Sequence, residues 1–184
     1  MARARSHLYI AASLDGYIAD SKGSVAWLDP FNDQEYGYAA YLESMPVMVL
    51  GRSTFDQAIG FVADPYPGKR VIVMTHRPLA TQTPANAETY AGPARGLAES
   101  LFKEGVETYG LVGGGDVNRQ FLQEGLLDVL DLFIMPIMLG SGTPLFPAPF
   151  SPLTLILHDT ARYMNGVTYL RYEIPVQKSG KGTP

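Results

Sequence analysis

Residues 107–125 read ETYGLVGGGDVNRQFLQEG. Glu107 to Val112 has the length and apolar content of a strand buried on both faces. Gly113, Gly114 and Gly115 then open a helix from Asp116 to Glu124, and Gly125 closes it. A buried strand that passes through glycine straight into a helix is the repeating unit of a parallel sheet with helices on both faces. The same order occurs upstream. Val47 to Leu50 runs into Gly51-Arg52-Ser53-Thr54 and a short amphipathic segment, Ser53 to Ile59, that stops at Gly60. Arg70 to Thr75 is a second buried strand, with His76, Arg77 and Pro78 just beyond it.

Around these units the chain reads as follows. His7 to Ser13 is a first strand, and Gly16 and Gly23 punctuate the loop from it to Trp27-Leu28-Asp29-Pro30. The spacing of Tyr38, Tyr41, Leu42 and Met45 predicts a helix from Asp33, its N-cap, to Ser44. A short strand is expected at Glu88 to Ala91, a helix at Ala94 to Glu104, and a strand at Val129 to Met135. Leu153 to His158 and Val167 to Ile174 pair around Asn165-Gly166 as an antiparallel hairpin. No linker or repeat interrupts this order, so one domain over 1–176 is expected, with a frayed tail from Gln177 to Pro184. The fold class is α/β: three layers around a mixed, mostly parallel sheet with an antiparallel C-terminal hairpin.

Composition narrows the function. The 184 residues are 46% hydrophobic and 17% charged, as in a folded globular chain. Cys is absent, which excludes a disulfide scaffold, thiolate metal sites and a cysteine nucleophile, and fits a reducing cytoplasm. A net charge of −4 gives no overall attraction to nucleic acid or anionic membranes. Leu132 to His158 carries no Asp, Glu, Lys or Arg, but prolines and glycines break it into strand, loop and strand rather than a membrane span. His7, His76 and His158 are scattered without metal-ligand spacing, so no metal site is expected; His158 reads as packing within the last hairpin. No Gly-x-Ser-x-Gly elbow appears.

The chemistry collects at strand ends. In open α/β sheets ligands bind off the carboxyl ends of the strands. Gly51 to Thr54 and Gly113 to Asp116 also open helices, whose free N–H groups attract phosphate. Arg52 and Arg77 add donors suited to phosphate oxygens, and an extra 2′-phosphate on a dinucleotide would account for them. Each of the three sites alone reads more readily as a plain turn; the three together favour a ligand. Neither Gly113-x-Gly115-x-x-Asn118 nor Gly68-Lys69-Arg70 completes a Rossmann or Walker A pattern. Asp15 is either an Asp-Gly turn or a polar group at the mouth of the first strand. Trp27, the single tryptophan, is a loop anchor or a pocket wall, and Tyr17 and Phe146 are further wall candidates.

The stretches YIAASLDGYIAD, GSVAWL, VMVLGRSTFD, KRVIVMTHRP, YGLVGGGDVNRQFL and LFIMPIMLGSGTPLF run in order from residue 9 to residue 146. Together they resemble the dihydrofolate reductase-like superfamily. The closest likeness is to the reductase domain of the bifunctional riboflavin-biosynthesis deaminase-reductase and its stand-alone bacterial relatives. The resemblance implies an NADPH-dependent reductase and a homodimer. It implies that Ala12 and Ile18 line the nicotinamide and that Gly51, Arg52, Ser53 and Thr54 hold cofactor phosphates. Thr75, His76 and Arg77 would surround the 2′-phosphate. Gly113, Gly114 and Gly115, with Asp116 and Val117 behind them, would approach the pyrophosphate and nicotinamide, with a cis bond at Gly113–Gly114. Two stretches depart from the family. The carboxylate that folate-type members keep after the tryptophan falls in Asn32 to Glu35, where Asp33 is the candidate. The basic stretch of the riboflavin type is replaced by Tyr38-Ala39-Ala40-Tyr41-Leu42-Glu43.

The expected reaction is hydride transfer from C4 of NADPH to a C=N or C=O carbon of a pyrimidine- or pterin-type substrate. Asp15, Asp33 or ordered water would supply the accompanying proton, and Trp27 would stand beside the reacting ring. The activity most implied is reduction of 5-amino-6-(5-phosphoribosylamino)uracil. The alternatives are dihydrofolate reduction and a nucleotide-binding protein without turnover.

Overall fold

The computed structural model describes residues 2–80 and 83–175; the tail expected from Gln177 lies outside them. Ten strands and four α-helices follow in chain order. They are β1 (Arg5–Ser13), β2 (Tyr17–Ala19), α1 (Tyr38–Ser44), β3 (Val47–Gly51), α2 (Arg52–Phe61), β4 (Arg70–Met74), β5 (Ala87–Tyr90), α3 (Ala94–Lys103), β6 (Thr108–Gly113), α4 (Gly115–Gln123), β7 (Leu127–Met135), β8 (Thr143–Pro144), β9 (Ile156–Arg162) and β10 (Thr168–Glu173). A 3₁₀ helix, Ala26–Phe31, precedes α1. Eight strands form one sheet in the order β5-β4-β3-β6-β1-β7-β10-β9. β5 through β7 run parallel, so their carboxyl ends share one edge, while β10 and β9 are antiparallel. β2 and β8 form a separate two-stranded sheet. Among the described residues no helix is long and apolar enough to cross a membrane.

Burial follows the pleat, because successive side chains of a strand point to opposite faces. One face carries Leu8, Val49, Ile72, Leu111 and Leu130 and is covered by α3 (Leu97, Leu101) and α4 (Val117, Phe121). The other carries Met48, Leu50, Val71 and Val73 under α1 (Tyr41), the Met45 that follows it, and α2 (Phe55). Full burial of such a side chain contributes about 1.5–3 kcal/mol. Farther along this second face Phe133, Met135 and Val167 form a smaller aromatic cluster.

Three expectations are corrected. The helix expected from Asp33 starts at Tyr38. Its N-cap is Gly37, at φ 83°, a left-handed turn that halts the helix. The carboxylate that accepts the free amides is Glu35, from Gly37 at 2.8 Å and Ala39 at 3.1 Å, not Asp33. The first strand of the hairpin lies at Ile156–Arg162, farther on than Leu153 to His158, and all seven of its residues are exposed at the sheet edge. His158 is therefore not packed; its Nε2 sits 2.9 Å from Glu173 Oε2 on the neighbouring strand. Finally, Ala148–Pro149 is the cis bond among the described residues, and Gly113–Gly114 is trans. The sharp turn there comes from Gly113 at φ 97°, open to glycine and strained for any other residue.

Candidate functional site

At the carboxyl edge of the sheet, β3, β4 and β6 deliver their following loops side by side. Gly114 N–H donates to Thr54 Oγ1 at 3.0 Å, tying the turn after β6 to the first turn of α2. A Cβ on Gly51 would stand 3.0 Å from Val117 Cγ2, and one on Gly115 only 2.8 Å from the Pro144 carbonyl oxygen. These glycines allow the approach of three loops that any side chain would separate. Arg52 reaches across to the loop after β4 and donates to the Pro78 carbonyl at 2.8 Å, while its Nε is held by Asp56. The loop residues themselves are open: His76 and Arg77 are exposed, and Arg77 N–H donates to Thr75 Oγ1 at 3.1 Å.

Helices α2 and α4 begin here with glycine caps, Gly51 and Gly114, and neither has a capping side chain. Their first-turn amides lack the partner that Ser, Asp or Thr would supply. Two uncapped N-termini on neighbouring strands, with Arg52 and Arg77 beside them, make an anion cradle. Ser53 is exposed and Thr54 half-buried in the first turn of α2. Asp116, also exposed, is paired at 3.5 Å with Arg119 on its own helix, and Val117 is buried beneath. Ala12 is buried at the end of β1, and Ile18 is half-buried in β2, whose partner β8 touches Gly115. The loops after β3, β4 and β6 and the end of β1 thus share one edge, while Ile18 stands in the separate β2–β8 sheet. Asn118 was not anticipated. It is fully buried, its Nδ2 donates to the Leu145 carbonyl at 3.1 Å, and its side chain fills the space over Gly113.

Asp15 is placed as a clamp between the end of β1 and the loop after β7. It accepts from Ser13 Oγ at 2.6 Å, Leu139 N–H at 3.0 Å and Gly140 N–H at 2.7 Å. These bonds, the Ser13 hydroxyl foremost, hold its carboxyl below the usual range. Its role is to pin the loop after β7 over the end of β1.

Beside this edge, between β1, β7 and α1, lies a cavity of about 520 Å³. Tyr9 and Ala11 of β1 form its floor with Phe133 and Met135 of β7, and Phe31, Tyr36 and Tyr38 its sides. Ala11 faces Phe133 across the β1–β7 register. Tyr9 OH donates to the Tyr36 carbonyl at 3.0 Å, which fixes the ring. On the same face, next along the strands from the floor, the buried Asp131 accepts from Tyr169 OH at 2.8 Å and lies 2.6 Å from His7 Nε2. Burial works against its charge, but the bonds from His7 and Tyr169 prevail and keep its carboxyl below the usual range.

None of the expected pocket residues is among those that line this cavity. Trp27 is half-buried behind it, packed on the Phe133–Met135 cluster, with its Nε1–H buried and unpartnered. Tyr17 sits in β2, its N–H donating to Ser13 Oγ at 2.9 Å. Phe146 belongs to the opposite face of the sheet, packed on the main core beside Phe150. Asp33 is exposed outside the lining, where it accepts from Asn165 Nδ2 at 2.8 Å. The carboxylate that does reach the cavity is Glu35. The period-two pattern of β1, which puts His7, Tyr9 and Ala11 on one face, was the available signal for the floor.

This sheet order, with its glycine-lined edge, is that of the dihydrofolate reductase-like fold. The chain belongs to the RibD C-terminal domain family, whose match covers residues 7–169, and is thereby a reductase-type domain of the riboflavin-biosynthesis kind. It is 32% identical over 162 residues to the uncharacterized protein YwjB of Bacillus subtilis (strain 168), covering 87% of this chain and 92% of that protein. A Shewanella sp. PV-4 structure named for riboflavin biosynthesis is 29% identical, with a TM-score of 0.85 over 93% of this chain and 99% of the other. The fold is also shared with the dihydrofolate reductase of Enterococcus faecalis complexed with NADP(H), at a TM-score of 0.65 and 19% identity over 92% and 96% of the two chains.

Proposed function

We propose that this chain is an NADPH-dependent reductase of a flat pyrimidine- or pterin-type ring, working in the cytoplasm as a homodimer. The observation that carries the reading is the pair of uncapped, glycine-started helices at adjacent strand ends, with Arg52 and Arg77 alongside. Amides at the starts of α2 and α4 would meet the cofactor phosphates. Thr75, His76 and Arg77 would hold the 2′-phosphate, and Ala12 and Ile18 would flank the nicotinamide. When bound, the cofactor supplies hydride from C4 of its nicotinamide to a C=N or C=O carbon.

The chain's own residues would position the ring and limit water. The Asp15 clamp holds the loop after β7 at the end of β1. Trp27 backs the cavity from the Phe133–Met135 cluster. With Asp15 ionised and Asp33 outside the cavity, the proton that accompanies hydride would come from water at the cavity mouth. The open β9 edge supports association of two copies, since an unpaired strand edge is a template for pairing.

The test is steady-state loss of NADPH absorbance with pyrimidine and pterin substrates, the ring of 5-amino-6-(5-phosphoribosylamino)uracil first and dihydropterins second. Turnover with either ring supports a reductase. Tight NADPH binding with no turnover on any member would replace it with a nucleotide-binding protein.

A further inference from the structure

One side of the cavity is made by a stretch with little to hold it. Asn32, Gln34, Glu35 and Tyr36 line the cavity, and the stretch 32–37 that carries them joins the 3₁₀ helix to α1 without regular structure of its own. Asn32 to Glu35 are exposed, and Gly37 ends the stretch in the left-handed region at φ 83°. Toward its two ends the stretch is bonded to its own neighbours. Asn32 N–H donates to the Asp29 carbonyl at 3.3 Å, and Glu35 accepts from Gly37 and Ala39. Among the described residues its hydrogen bonds to the rest of the fold run through two side chains, Tyr9 and Asn165.

Asn165 stands in the turn of the β9–β10 hairpin, beside Gly166 at φ 88° and the fully buried Val167. Its Nδ2 donates to Asp33 Oδ1 at 2.8 Å and to Tyr36 OH at 2.6 Å, and its Oδ1 accepts from Val167 N–H at 3.3 Å. Both amide donors are thus spent on the stretch 32–36, while the acceptor anchors the side chain to its own hairpin. Tyr36 passes the restraint on. Its OH donates to the Phe31 carbonyl at 2.6 Å, and Tyr163 of the hairpin meets its ring edge-on with centroids 4.7 Å apart. Phe31 and Tyr36 are both walls of the cavity. A hairpin rooted in the sheet therefore fastens a wall that has few ties of its own. Segments with exposed backbone and few buried contacts are the ones that open most readily.

We propose that residues 32–36 are a strap over the substrate cavity and that Asn165 is the positioning residue that latches it, acting through Tyr36. The strap opens at this latch, hinged at Gly37, to admit and release the ring. This rests on the reductase reading and adds how its substrate site closes. Neither Asn165 nor Asp33 belongs to the glycine-lined edge, so the latch acts on substrate and not on cofactor.

The experiment compares the full chain with Asn165→Asp, Asp33→Asn and the two together. Two readings are taken: hydrogen exchange over 31–37, and steady-state kinetics with NADPH and 5-amino-6-(5-phosphoribosylamino)uracil. Asn165→Asp sets two carboxyl groups against each other and removes the donor to Tyr36. It is expected to speed exchange at 31–37 about tenfold, the lower end for losing a hydrogen bond to a charged group. KM should rise about tenfold while kcat and NADPH affinity stay within about twofold, the pattern of lost uniform binding. Asp33→Asn alone keeps an acceptor and should change little. The paired variant restores the bond with donor and acceptor exchanged and should recover both readings, a coupling that a merely structural role would not give. Unchanged exchange in Asn165→Asp, faster exchange with KM unmoved, or a paired variant no better than Asn165→Asp would each overturn the proposal. The expected exchange pattern in a protein that turns over no ring would sink the reductase reading while leaving the latch in place.

Discussion

At the ends of β3, β4 and β6 the groups available to a ligand are backbone amides, glycines and two arginines; between β1, β7 and α1 they are aromatic rings and one carboxylate. The first region would bind through main-chain geometry, where Gly113 and Gly115 leave no room for a Cβ. The second would bind through side-chain surface. A cofactor shared by many reactions suits the first construction, and a substrate peculiar to one reaction suits the second. The two should therefore fail independently when mutated.

Phe133→Ala should have the largest effect. Phe133 is 2% exposed and touches Tyr9, Tyr36 and Tyr169, so its loss should cost about 3–5 kcal/mol in a denaturant melt. Substrate binding should disappear while NADPH affinity stays within about twofold, the resolution of an ordinary titration. A parallel loss of both would show that the regions are one unit.

Gly113→Ala is the converse. Its φ of 97° and a Cβ only 2.8 Å from Asn118 Oδ1 should cost about 1–3 kcal/mol in stability and weaken NADPH before substrate. Unchanged NADPH affinity in a folded variant would remove the glycine turn from the cofactor site.

Asp131→Asn probes the hydrogen-bonded pair beside the cavity floor and should cost about 1–3 kcal/mol at neutral pH. The folded-state carboxyl is depressed, so its contribution is present above the unfolded value of about 3.9 and is lost as pH falls through the folded value. Melts across the acid range should show wild-type stability falling faster than that of the variant, and equal acid slopes would contradict the assignment.

The same contrast explains what could be read from the sequence. The cofactor edge is local: Gly51-Arg52-Ser53-Thr54 and Gly113-Gly114-Gly115 each follow their own strand directly, so strand ends and helix starts are visible in a few residues. The cavity is not local. Its floor exists only once Ala11 is set opposite Phe133, and the alternation of β1 groups Tyr9 with Ala11 without telling which strand lies beside them. Tyr38 and Leu42 were visible as a helix face, but a helix face reads as core until its partner is known. The start of α1 falls later than the expected Asp33 because the left-handed Gly37, not a side-chain cap, sets it. His158 was misread because hydropathy marks a strand without telling whether a helix covers it.

The central claim is that the glycine-lined edge holds NADPH beside the aromatic cavity. Trp27 is the single tryptophan and lies against the wall of that cavity, so its fluorescence reports on both. Titration with NADPH should give saturable quenching, with NADH about tenfold weaker for want of the 2′-phosphate that Arg77 would meet. No binding of either nucleotide, by fluorescence and by calorimetry, would contradict the account.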